Sequence, residues 1–200
     1  MSEQGTVQLR RHRWRTVDIV VASVIAVVFG VVFAIWNNLL YSVINAPLGA
    51  LPIAPLASGV WLIPAVVGAL VVRKPGAALY TELLAAVVSM FFGSAWGLSV
   101  FLSGMWQGLG AEVVFALLAY RRWGLGPALL AGGGAGLAMG TYEIITYVPT
   151  YSWDWKLIYV GCAVAAGVVV AGGLGWLLVR ALARTGALAP FAAGRAQSEI

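Results

Sequence analysis

The chain has 200 residues, 62% of them hydrophobic and 10% charged, with a formal net charge of +5. A mean hydropathy of +0.93 excludes a soluble globular domain, which needs far more polar surface, and apolar runs without alternation exclude a β-barrel. The short turns leave no room for a soluble catalytic domain, and no G-x-x-x-x-G-K-[ST] loop exists for ATP hydrolysis, so any ATP energy has to come from a partner.

In chain order, the apolar runs predict six membrane-spanning helices: Asp18–Trp36, Ile53–Val72, Ala77–Phe92, Ser99–Ala119, Pro127–Tyr147 and Leu157–Arg180. Pro64 interrupts the second and the third is short. The fold class is therefore an all-α integral membrane protein, a six-helix bundle over residues 1–180 followed by a short, loosely held tail at 181–200. The basic start with its Arg10-Arg11 pair resembles a signal peptide, but no small-residue cleavage site follows, so a retained first helix is expected. Arg10, Arg11, Arg13 and Arg15 precede span one, Arg73 and Lys74 join spans two and three, Arg121 and Arg122 join spans four and five, and Arg180, Arg184 and Arg195 follow span six. Of the twelve basic residues only Lys156 falls in the other loops. That asymmetry predicts both termini on the cytoplasmic side. His12 belongs to the same interface, and Cys162 packs inside span six as a small apolar residue.

The outer loops differ in composition. Asn37–Pro55 is uncharged and carries Asn37, Asn38, Tyr41 and Asn45; Gly93–Leu98 holds Trp96; Val148–Trp155 holds Tyr151, Trp153 and Trp155. Such residues suit either an interfacial aromatic belt or a lid over a flat ring. Small residues recur every fourth position, as Ala22, Ala26, Gly30 and Ala34 in span one and as Gly104 and Gly108 in span four. Faces of this kind let helices approach closely, either within the bundle or against a partner subunit.

Glu82, Glu112 and Glu143 lie inside the spans, where a carboxyl group costs at least ~2.5 kcal/mol and normally marks a functional site. Glu82 is expected roughly 15 Å below the outer end at 1.5 Å per residue, Gln107 and Glu112 at increasing depth, and Glu143 about one turn below the surface beside Tyr142 and Tyr147. No basic residue lies in the spans at those depths. Carboxyl groups with aromatic rings and no buried cation favour a cationic or amine-bearing aromatic ligand. The spans contain no histidine, so neither a metal site nor a Ser-His-Asp arrangement is expected, and no cofactor is required.

The segments Arg73-Lys74-Pro75-Gly76-Ala77-Ala78, Glu82-Leu83-Leu84-Ala85-Ala86, Gly93-Ser94-Ala95-Trp96-Gly97, Gln107-Gly108-Leu109-Gly110-Ala111-Glu112 and Tyr120-Arg121-Arg122-Trp123 occur in order and resemble the YkoE-type substrate-binding (S) components of energy-coupling-factor transporters. The resemblance implies a multi-pass protein of the bacterial cell membrane that is not an enzyme. It would capture thiamine or its hydroxymethylpyrimidine precursor outside the cell and join a transmembrane coupling subunit and two ATPase subunits for uptake. On that reading Trp96 stacks on a ring, Glu82 and Gln107 bond the aminopyrimidine, and Glu143 with Tyr147 faces the cationic part, while Glu112 and Asn38 complete the site. Ala22, Ala26 and Gly30 would dock the coupling subunit. A stand-alone proton-coupled carrier of a cationic aromatic metabolite, with Glu82 and Glu112 as proton carriers, is the competing reading, and a non-transporting scaffold is a third.

Overall fold

The computed structural model describes residues 13–93, 96–189 and 191–195. Arg10, Arg11, His12, Ser94 and Ala95 lie outside the described residues. Six long helical segments follow one another, α1 Thr16–Asn45, α2 Ala54–Val72, α3 Ala77–Met90, α4 Ser99–Leu117, α5 Leu125–Thr146 and α6 Trp153–Arg184, with a short α7 at Ala192–Arg195. No strand occurs among the described residues. All the long segments except α3 have the length and composition to cross a membrane. With 14 residues, α3 covers about 21 Å at 1.5 Å per residue, less than the ~30 Å of a hydrocarbon core.

Several boundaries differ from the expectation. The first helix does not stop at Trp36: it passes through a π-helical stretch at Trp36–Leu40 and ends with Tyr41–Asn45. Nothing in Asn37–Asn45 breaks a helix, and the chain turns away only as Pro47 approaches. Pro64 does not interrupt α2. That segment starts as a 3-10 helix, Ala54–Leu62, and Pro64 stands in the first turn of the α-helical part, where a missing N–H is tolerated. Residue 180 is not a structural break either. The last helix runs on to Arg184, and Leu188, Phe191 and Ala193 are buried in the main core cluster, so within the described residues the expected loose tail is packed.

The α-helical part of α2 is buried all round, from Pro64 to Val72, because α1, α3, α4, α5, α6 and α7 all pack against it. A helix that is apolar on every side belongs in such a position. Around it α1 packs on α3, α3 on α4, α4 on α5 and α5 on α6. Missing side chains set these approaches. A Cβ at Gly136 would collide with the Ala163 carbonyl oxygen, and one at Gly132 with that of Gly167. In α4, a Cβ at Gly104 would lie 2.6 Å from Ala86 Cβ and one at Gly108 2.9 Å from Leu79 Cα, so those glycines admit α3.

Span one's small-residue face is part of this internal packing. Ala22 and Ala26 are completely buried, and a Cβ at Gly30 would meet Val88 Cγ1 at 2.5 Å and the Ala85 carbonyl oxygen at 3.0 Å. The ladder faces α3 rather than an open surface, which corrects the expectation that it is presented to a partner. What α1 exposes is its opposite, β-branched face, including Val20, Val24, Val27, Val28 and Ile35.

The basic end of the bundle is held by two acidic side chains that converge on the turn between α2 and α3. Asp18 pairs with Arg15 at 3.1 Å and with Lys74, whose ammonium also donates to the Arg13 carbonyl at 2.6 Å. Trp14 Nε1 donates to the Pro75 carbonyl at 2.8 Å. From α4, Glu112 accepts the N–H groups of Gly76 (2.6 Å), Ala78 (2.9 Å) and Leu79 (3.3 Å) and the hydroxyl of Tyr120 (2.8 Å). Those N–H groups belong to the residue just before α3 and to its first turn and have no intrahelical partner, so Glu112 caps α3 from a neighbouring helix. Burial, and then the bond to Glu112, push the Tyr120 phenol above its ordinary pKa, which keeps its proton available for donation.

Two outcomes are expected from thermal unfolding in detergent. Gly136→Val should lower stability by about 1–3 kcal/mol through overpacking, whereas Gly161→Ala, with nothing within 4 Å of its Cβ position, should not; equal melting temperatures would refute the close α5–α6 crossing. Glu112→Gln should cost about 1.5–3 kcal/mol, because a neutral amide replaces a group bonded to four donors; an unchanged melting temperature would show that the cap contributes nothing.

Candidate ligand-binding site

At the end of the bundle away from Arg13, Lys74 and Tyr120, the helices enclose a cavity of about 310 Å³. That is at the lower end of small-molecule pockets and suits a ligand of one or two rings. Every fourth residue of α1's outer part lines it, Phe33, Asn37, Tyr41 and Asn45, so the π-helical stretch keeps one face turned inward. Trp61 of α2, Glu82 and Ala86 of α3, Ser103, Gly104 and Gln107 of α4, Glu143 of α5 and Tyr159 of α6 add the walls, with Trp96 and Tyr147 from the adjoining turns.

Glu82 is completely buried. Its Oε2 accepts the Ala65 N–H at 2.9 Å, and its Oε1 has no hydrogen-bond partner. The Ala65 N–H is one of the donors left over at the start of the α-helical part of α2, just after Pro64, so this contact anchors one oxygen. The other oxygen, in a residue lining the cavity, lacks a donor, a situation that costs about 1–3 kcal/mol. Gln107, 4% exposed, uses Nε2 to donate to Ser103 Oγ at 2.8 Å, a bond within its own helix. Glu143, 6% exposed, receives the Tyr159 hydroxyl at 2.9 Å. Tyr147 donates to Ser99 Oγ at 2.9 Å, tying the end of α5 to the start of α4, and burial holds its phenol above the ordinary pKa.

An aromatic cluster lines the same cavity. Tyr41 and Trp61 have ring centroids 4.7 Å apart, and Trp96 lies 5.6 Å from Tyr41 and 5.9 Å from Trp61. Trp61 is oriented by its Nε1–H donating to Asn37 Oδ1 at 2.8 Å. Among the described residues no Lys, Arg or His lines the cavity. Such a lining complements a flat ring that donates hydrogen bonds or carries positive charge.

The structure thus gathers Glu82, Trp96, Gln107, Glu143 and Tyr147 around one cavity. It does not bring Glu112 or Asn38 there: Glu112 is taken up at the first turn of α3, and Asn38 points back along α1, its Nδ2 donating to the Ala34 carbonyl at 2.9 Å. The further lining residues are Asn37, Tyr41 and Asn45, which the sequence offered only as part of an outer loop forming a belt or lid, and Trp61 and Tyr159, which it did not single out. A four-residue spacing from Phe33 to Asn45 was present as a signal for three of them, but it is visible only when that stretch is read as helix rather than loop.

Comparison with known proteins agrees with this architecture. Residues 17–138 match the family model described as an ABC-type cobalt transport system, permease component. Over 183 residues, 91% of each chain, the sequence is 35% identical to a protein of Bacillus subtilis (strain 168) named as a candidate HMP/thiamine permease, YkoE. A crystal structure of an S-component of an ECF transporter superposes with a TM-score of 0.88, at 34% identity and covering 94% of both chains. An all-helical bundle of this fold, with carboxyl and aromatic groups lining a cavity and this degree of similarity across nearly its whole length, belongs to the YkoE-type S components of energy-coupling-factor transporters, which are membrane transport proteins and not enzymes.

Proposed function

We propose that the chain captures thiamine, its hydroxymethylpyrimidine precursor, or both, from the outer side of the membrane, and that a transmembrane coupling subunit with two ATPase subunits then drives uptake. The observation that carries this reading is the unpartnered, fully buried Oε1 of Glu82, a residue that lines the cavity together with Tyr41, Trp61 and Trp96. The exocyclic amine of an aminopyrimidine supplies the missing donor, and the rings supply stacking surface. In thiamine the thiazolium cation would lie toward Glu143 and Tyr147. The name of the B. subtilis relative supports the same ligand pair.

Placement of the basic residues supports the direction. Arg13, Arg15, Arg73, Lys74, Arg121 and Arg122 gather at the end opposite the cavity, which under the positive-inside rule is cytoplasmic, together with both termini. The cobalt of the family description is not the ligand favoured here, because the described residues bring together no group of three His, Cys, Asp or Glu side chains. A stand-alone proton carrier using Glu82 and Glu112 is disfavoured as well, since Glu112 is engaged by four donors at the other end of the bundle. The coupling subunit must engage some face other than the buried Ala22, Ala26 and Gly30.

Tryptophan fluorescence titration of the purified protein tests the ligand. Thiamine or hydroxymethylpyrimidine should quench, and unrelated vitamins should not. In Glu82→Gln the amide can satisfy Ala65 only by turning its NH₂ toward the ligand's amine, so donor faces donor, and affinity should fall roughly ten- to a hundredfold. Trp96→Ala should weaken binding through lost stacking. If both variants bind like the wild type, the site lies elsewhere.

A further inference from the structure

We propose that the site admits only the free alcohol form of its ligand and rejects the phosphate monoester. This inference rests on the aminopyrimidine reading above and adds the ligand's phosphorylation state. The ionisable side chains among the described residues lining the cavity are two carboxyl groups, Glu82 and Glu143, and three phenols, Tyr41, Tyr147 and Tyr159, none of which contributes positive charge. In hydroxymethylpyrimidine the amine and the hydroxymethyl group occupy neighbouring ring carbons. An amine bonded to Glu82 Oε1 therefore places the hydroxymethyl oxygen, and any phosphate on it, beside a completely buried carboxyl group. A phosphate carries nearly two negative charges, and among the described residues neither Lys nor Arg lines the cavity to offset them.

One cation stands near the cavity's rim. Lys156 Nζ donates at 2.8 Å to the carbonyl of Pro149, which follows the lining residue Val148, and sits 5.2 Å from the Trp153 ring centroid. It belongs to the turn outside the cavity and does not line it. The remaining described cations that the structure pairs, Arg15 and Lys74 with Asp18, are at the far end. The polarity of the cavity thus assigns a place in a reaction sequence. A phosphorylated pyrimidine outside the cell has to pass through a phosphomonoester hydrolysis before capture. In that step water adds to phosphorus, the phosphorus–oxygen ester bond breaks, the departing ester oxygen takes a proton from the attacking water to become the alcohol, and inorganic phosphate leaves.

The test is a fluorescence titration of the full chain in detergent with hydroxymethylpyrimidine, its phosphate monoester and its methyl ether. The alcohol should bind, the ether should bind within about tenfold of it because it adds bulk without charge, and the ester should bind at least about 100-fold more weakly. In Glu82→Gln the ratio of alcohol to ester affinity should shrink by at least about tenfold, a change that a purely structural defect would not produce. Alcohol and ester binding within threefold of each other overturns the inference while leaving the ligand reading intact, and loss of ester binding in Lys156→Gln would then identify the rim cation as what admits it. A weak ether as well as a weak ester would also overturn it, since size rather than charge would be excluding both. Binding of none of the three overturns the aminopyrimidine reading itself, and the inference with it.

Discussion

Helix starts inside an apolar medium leave backbone N–H groups that lipid cannot satisfy, and the organisation of this bundle follows from how two of those starts are met. The first turn of α3 is capped by Glu112 and the start of the α-helical part of α2 is met at Ala65 by Glu82, each carboxyl group reaching across from a neighbouring helix. These contacts fix the rotation of α3 and α4 about their axes. They also give two intramembrane glutamates opposite fates. Glu112 receives four donors and is fully occupied with structure, whereas Glu82 receives one and keeps an oxygen without a partner. The difference lies in the number of donors supplied by the surrounding backbone, and it separates a cap from a recognition group.

Close helix approach makes those reaches possible. Glu82 and Gln107 share a cavity because Gly104 and Gly108 let α3 lie directly on α4, against Ala86 and Leu79. On the other side, Ala22, Ala26 and Gly30 let α1 lie on the same helix. The short α3 is thus gripped from both sides by small-residue faces, while α2 fills the centre with an unbroken apolar surface. Without lipid-driven hydrophobic association, this backbone proximity is the attractive force that holds the charged and amide side chains in register.

The two ends of the bundle are held together differently. The end carrying Arg13 to Asp18 and the Arg73–Gly76 turn is cross-linked by ion pairs, a tryptophan hydrogen bond and the Glu112 cap. The other end is built from a π-helical stretch, a 3-10 helix and turns, tied by Trp61 to Asn37 and by Tyr147 to Ser99. π-helical segments occur often at functional sites because the extra residue redirects side chains. Here it keeps Asn37, Tyr41 and Asn45 on the same face as Phe33, all of them on the cavity.

Six apolar runs, a one-sided distribution of basic residues and carboxyl groups inside the spans are local properties, so the sequence alone determined an all-helical membrane bundle and most helix positions to within a few residues, and it pointed to seven candidate ligand contacts, of which Glu82, Trp96, Gln107, Glu143 and Tyr147 line one cavity and Glu112 and Asn38 do not. The segment-by-segment resemblance to YkoE-type S components was legible for the same reason, since motifs are contiguous. What a sequence does not contain is which neighbour a helix face meets. The small-residue ladder of span one reads identically whether it meets α3 or a partner subunit, and only the packing on Val88 and Ala85 decided for the former. Glu112 reads like Glu82 until the first turn of α3 is placed beside it. Asn37 and Asn38 are adjacent and chemically equal, and the π-helical register alone turns one toward Trp61 and the cavity and the other back toward Ala34. Those choices depend on donors and surfaces far away in the chain, which is why tertiary structure had to make them.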